Sequence, residues 1–271
     1  MKVHNVCSND YDELIKKLSK RKKLLTILST VIVLVTVILC SPIEIEIFNK
    51  TYVEHNGIHP VFTALLVLFI ILCEFLVGGW LLSPLITSMT VECDPKKYLF
   101  INNALNKKAD LSEVNSDAFL YMGDYEAALY FANNIIARKK PEIVWKGYFN
   151  KARCEFLLGD FEALKLTTKQ YETSVANIKR KNIAVYEVMQ NILNLLVAIA
   201  ENDKEKITAL KNFEAWNNSK ALEGYINYLK GVAAFVLEDK EEAIYRFMAV
   251  KDNCEKTVFA TLAEEYLQKL K

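Results

Sequence analysis

Histidine is scarce in this 271-residue chain: His4, His55 and His59 are the only copies. Their placement removes histidine-based triads and HExxH-type zinc motifs from everything after residue 59. His55 and His59 have i, i+4 spacing beside Glu54, but Gly57 and Pro60 interrupt any helix that would face them together, so no metal site is expected. Glycine (8) and proline (5) are few, which excludes collagen-like and low-complexity classes. Neither a Walker A sequence nor a GxGxxG fingerprint occurs. The six cysteines, at 7, 40, 73, 93, 154 and 254, form no CxxC pair, and disulfides are not expected. Charge of one sign is also missing. With 34 Lys and Arg against 33 Asp and Glu, nothing marks a nucleic-acid binder. These absences together predict a protein that is not an enzyme and takes no cofactor.

What is present is uneven. Mean hydropathy is +0.11 although 25% of the residues are charged, so some segments must be strongly apolar. Residues 24–43 contain no charge, and residues 61–83 contain one, Glu74. Each run has the length expected of a transmembrane helix. Residues 1–23 carry seven Lys and Arg against three acids, whereas the loop at 44–60 is net acidic. By the positive-inside rule the chain is expected to be a multi-pass protein of the cell membrane with both termini cytoplasmic. The expected order is a basic segment (1–23), two spans (24–43 and 61–83) around an extracytoplasmic loop (44–60), and a cytosolic domain (84–271). Glu74 would face Ser29 and Thr36 of the first span, as a polar clasp or a proton-coupling group. Pairing of spans could support homo- or hetero-oligomers.

Residues 84–271 have the marks of helices joined by tight turns. Asp94 and Pro95 form a helix start. Apolar residues then recur at helical spacing in 152–158, 192–200 and 228–236. Four turns resemble one another: GDYEAAL from Gly123, GDFEALK from Gly159, NDKEKIT from Asn202 and EDKEEAI from Glu238. Their aspartates, at 124, 160, 203 and 239, are separated by 36, 43 and 36 residues. Each aspartate is expected to N-cap a second helix, with a glutamate in its first turn. Small residues recur in the preceding helices at Ser116, Ala152 and Gly231, whereas the third unit has Leu195.

On these turns, and best over 123–128, the chain resembles the tetratricopeptide repeat family, whose units are helical pairs of about 34 residues. The resemblance covers roughly 94–271. It implies an α-solenoid of three to four degenerate pairs, with 255–270 as a capping helix, so that with the transmembrane hairpin read from the apolar runs the whole chain is expected to be all-α. It also implies a concave groove that binds a protein or peptide, a membrane-associated one for a tethered array. The positions that would line the groove are Glu113, Asp117, Tyr121, Phe149, Arg153, Phe156, Tyr225, Tyr228 and Phe235. The expected function is therefore a membrane-tethered interaction scaffold in contact with the lipid bilayer. The alternative is a small transport or signal-transducing subunit acting through Glu74.

Overall fold

The computed structural model describes residues 11–40, 43–47, 50–54, 68–69, 72, 83–105, 112–176, 178, 183–213 and 219–271. The chain divides into two compact units, Met1–Pro84 and Leu85–Lys271. Among the described residues the fold is all-α apart from one small β-hairpin.

In the first unit, helix α1 spans Asp12–Cys40. It is followed by strands β1 (Ile43–Ile47) and β2 (Lys50–Glu54), antiparallel, with Ile43 opposite Glu54 and Ile47 opposite Lys50. The strand has a local cause: Ile-Glu-Ile-Glu-Ile alternates with the period of two that suits a pleated strand. A plain connector was expected here, and a hairpin is found.

The membrane hairpin is not borne out. Among the described residues no helix is long and apolar enough to cross a membrane. In α1 the uncharged stretch begins at Leu24 and the helix stops at Cys40, a run of 17 residues. At about 1.5 Å per residue this covers about 25 Å, short of the roughly 30 Å hydrocarbon layer. Ile43, expected inside the span, belongs to β1. Of the second run only 68–69, 72 and 83 are described. The expectation of a multi-pass membrane protein with cytoplasmic termini falls with the spans. Glu74, His55 and His59 lie outside the described residues. Ser29 is half-buried on α1, and Thr36 shares that helix.

The second unit contains α2 (Pro95–Leu105), α3 (Ser112–Met122), α4 (Tyr125–Ala137), α5 (Pro141–Leu158), α6 (Phe161–Ala176), α7 (Ile183–Ala200), α8 (Lys204–Leu210), α9 (Lys220–Val236), α10 (Lys240–Cys254) and α11 (Val258–Leu270). The α2 start follows the sequence: Asp94 Oδ1 accepts from Lys97 N at 2.9 Å, with Pro95 first in the helix. The four similar turns share one geometry. Gly123, Gly159, Asn202 and Glu238 adopt left-handed φ values of 84°, 76°, 54° and 63°. At each, the N–H of that residue and of the following aspartate return to carbonyls three and five residues back, closing the helix end. Each aspartate then caps the next helix by accepting from the backbone N–H three residues on. The distances are 3.0 Å at Asp124, 3.1 Å at Asp160 and Asp203, and 3.2 Å at Asp239.

The turns fold α3 onto α4, α5 onto α6, α7 onto α8 and α9 onto α10, and the first helices α3, α5, α7 and α9 pack successively along one layer. Small residues make these contacts close. A Cβ at Gly231 would lie 2.6 Å from the Phe247 ring, and the buried Ser116 hydroxyl donates to Ala128 O at 3.1 Å. The third pair departs as its sequence does: Leu195 is buried, and α8 has seven residues. α11 begins at Val258, three residues later than expected, because Thr257 terminates the preceding turn by donating to Cys254 O at 2.8 Å. α11 packs on α9 and also on α3, which brings the last helix against the first pair. A Cβ at Gly123 would meet Val258 Cγ2 at 2.8 Å, and Lys256 Nζ pairs with Asp94 Oδ2 at 3.1 Å.

Candidate ligand cavity

At the amino-terminal end of the inner layer lies a cavity of about 400 Å³. Tyr98 of α2, three residues of α3, five of α5, Val185 and Met189 of α7, and Ala221 and Leu222 of α9 face it, with Met89, Thr90 and Ser219 beside them. Five of the residues expected on a groove meet here: Glu113, Asp117, Tyr121, Phe149 and Arg153. They converge because Glu113, Asp117 and Tyr121 fall at i, i+4 and i+8 on α3, while Phe149 and Arg153 are i, i+4 on the adjacent α5.

Arg153 is the centre of the arrangement. Only 3% of it is exposed, and its guanidinium carbon lies 4.2 Å from the Tyr225 ring centre, 5.1 Å from Phe149 and 5.4 Å from Tyr121. Aromatic faces attract a cation through their quadrupole, most strongly when water is excluded. Nη1 reaches Asp117 Oδ1 at 3.4 Å and Asn150 Oδ1 at 3.3 Å, whereas Nε and Nη2 are buried without a hydrogen-bond partner. Burial opposes its charge, but Tyr121, Tyr225 and Asp117 outweigh that and hold its pKa above the usual value. At the rim, Lys146 pairs with Glu113.

Asp117 has 41% of its side chain exposed. Desolvation by the surrounding wall raises its pKa, Arg153 opposes the rise and Glu113 adds to it. Tyr98 is pushed up to about 12 by burial, then by Asp117 and Glu113. Tyr225 is raised to about 12 by burial against the opposing effect of the adjacent Arg153 guanidinium. Chemically, the site can hold charge of both signs against an aromatic wall. Among the described residues no group of three or more His, Cys, Asp or Glu could hold a metal ion.

The remaining expected groove residues do not reach the cavity. Tyr225 lies behind Arg153 as its stacking partner. Tyr228 is buried among Phe259, Phe247 and Tyr266, with ring centres at 5.3, 6.3 and 6.3 Å. Phe235 packs on Tyr266 at 5.0 Å and Phe156 on Phe161 at 6.3 Å. For Tyr228 and Phe235 the closing contact of α11 with α3 and α9 explains the difference, since it fills with Phe259 and Tyr266 what an open stack would expose. Sequence reasoning missed Tyr98, Trp145, Lys146, Asn150, Met189 and Leu222. A signal was available for two of them: Lys146, Phe149, Asn150 and Arg153 repeat at i, i+3, i+4 and i+7, one stripe of a helix.

Compared with protein-family models, curated proteins and solved structures, this chain matches none. The tetratricopeptide resemblance read from the turns is thus not upheld as family membership, and the membrane anchor that accompanied it is absent from the described helices. The turn chemistry that suggested it is generic to tight helical hairpins: a left-handed residue, a capping aspartate and a small inward residue.

Proposed function

We propose that residues 85–271 form a short solenoid of four helical hairpins closed by a final helix, and that it acts as a protein-interaction module, binding rather than catalytic. Its docking point is the cavity, where a peptide segment of a partner lodges a side chain or chain end. The observation that carries this reading is the convergence of Glu113, Asp117, Tyr121, Phe149 and Arg153 from two neighbouring inner helices on one cavity. Its volume of about 400 Å³ lies within the range usual for specific ligand sites.

The test is site-specific photocrosslinking in the full-length chain. A benzophenone amino acid placed at Tyr98, on the cavity, should capture a partner peptide, while the same probe at Tyr245, exposed on α10, should not. Asp117→Lys should abolish the capture at 98. Capture at 245 alone, or capture at 98 that ignores the Asp117 change, would refute the cavity as docking point.

A further inference from the structure

The cavity holds a cation and an anion that satisfy each other poorly. Of the five N–H groups of Arg153, the three on Nε and Nη2 have no acceptor, and the Nη1 contacts, at 3.4 and 3.3 Å, are long for charge-assisted hydrogen bonds. Aromatic faces offset the charge of a guanidinium but do not replace acceptors along its edge. Leaving such donors buried and unmatched is costly. Asp117 is held on one side by Arg153, and its exposed part faces the cavity. The other two charges, Glu113 and Lys146, are bound to one another. The four charges therefore balance, and a guest carrying one charge would leave either Arg153 or Asp117 unmatched.

We infer that this cavity is a site for a free α-amino acid with an apolar or aromatic side chain. Its carboxylate pairs with the Arg153 guanidinium at the Nη2 donors that lack an acceptor, and its ammonium group with Asp117. An α-amino acid carries both charges on one carbon, so they stand side by side, as the receiving groups do at 3.4 Å. The amino-terminal end of α9, with Ser219, Ala221 and Leu222, also borders the cavity, and its dipole favours a carboxylate there. Tyr98, Trp145, Met189 and Leu222 provide the apolar wall for the side chain. A peptide terminus brings only one of the two charges, so chemistry separates the two kinds of guest. The inference rests on the cavity being a binding site, and not on a protein partner.

Isothermal titration of the full-length chain with L-phenylalanine, L-leucine, N-acetyl-L-phenylalanine and L-phenylalaninamide tests it. At least one of the free amino acids should bind. Each capped analogue of phenylalanine should bind about thirtyfold more weakly than phenylalanine or not at all, the scale expected when one partner of a buried charge pair is removed. Asp117→Asn should weaken phenylalanine by a similar factor while the circular dichroism spectrum stays unchanged. Binding of the N-acetyl compound as tight as that of phenylalanine overturns the inference, as does the absence of binding by either free amino acid at millimolar concentration. If neither binds while the probe at Tyr98 still captures a peptide, the inference fails and the interaction reading stands. If phenylalanine binds and no peptide is captured, the reverse holds. The wild-type titrations decide the matter even if Asp117→Asn does not fold.

Discussion

The two units differ in where most of their described large apolar side chains lie. On α1, Leu24, Ile27, Leu28, Val31 and Leu34 are all at least half exposed, at 66, 61, 54, 50 and 56%. In the second unit Leu193, Leu195 and Leu196 are fully buried, as are Phe247 and Tyr171. Leu18 of α1 is buried and Leu166 of α6 is exposed, so the contrast is one of balance: the same kinds of residue mostly build a core in the second unit and mostly present surface along the apolar stretch of α1. Apolar content by itself does not decide the outcome. What differs is the punctuation: the second unit interrupts its helices every 36 to 43 residues with a left-handed turn and a capping aspartate, so each helix returns onto its predecessor. α1 runs for 29 residues without such a turn.

Substitutions can break or sharpen this contrast, measured as urea unfolding of the full-length chain. Phe247→Ala should have the largest effect, about 3–5 kcal/mol, because the ring is fully buried, stacks 4.9 Å from Tyr266 and covers Gly231. Gly231→Val should cost about 1–3 kcal/mol, since the added Cβ would lie 2.6 Å from that ring. Asp124→Ala removes one N-cap and should cost about 1 kcal/mol. An equal loss from Phe247→Ala and Ile27→Ala would erase the contrast. Ile27→Ala should stay within about 0.5 kcal/mol, as the side chain is 61% exposed.

A pH series sharpens the comparison within the second unit. Glu155 has 7% of its side chain exposed, Oε2 without a hydrogen-bond partner and a 3.7 Å contact to Lys151. Burial raises its pKa, opposed by Thr167 and Lys151. A carboxylate whose folded pKa is raised favours the fold below its unfolded value, near 4.3, and that contribution disappears as pH rises through the folded value. Glu155→Gln should therefore match the parent in acid and gain on it towards neutral pH, by less than the loss from Asp124→Ala. A gap that closes as pH rises would show that Lys151, not burial, controls the group.

The helices of the second unit were legible because their signals are local. Asp124, Asp160, Asp203 and Asp239 announce caps within three residues, and Pro95 announces a start beside Asp94. The groove was only partly legible. Helical spacing places Glu113, Asp117 and Tyr121 on one face, but which part of that face is open depends on α11, about 140 residues away, and on Phe259 and Tyr266 filling the centre. Tyr228 and Phe235 are covered for that reason, while Phe156 rests on Phe161 of α6: a face periodicity says inward, not whether inward is empty. The β-hairpin at Ile43–Glu54 has a local signal in the alternation of Ile and Glu, but the strongly apolar runs on either side carry a stronger signal for spans. The run at 24–43 carries a sequence signal that counts residues and cannot see where a helix ends.

The meeting of Asp94 with Lys256, and of the Gly123 turn with Val258, changes how the unit should come apart. A linear stack of hairpins behaves as a chain of nearest-neighbour couplings, in which an outermost member has one interface and loosens before the rest. Joining the ends removes that boundary: the first hairpin acquires a second neighbour, and loss of any one member opens two interfaces. Amide hydrogen exchange should then be protected to a similar depth in α3 and α9, without the gradient from edge to middle that an open stack shows.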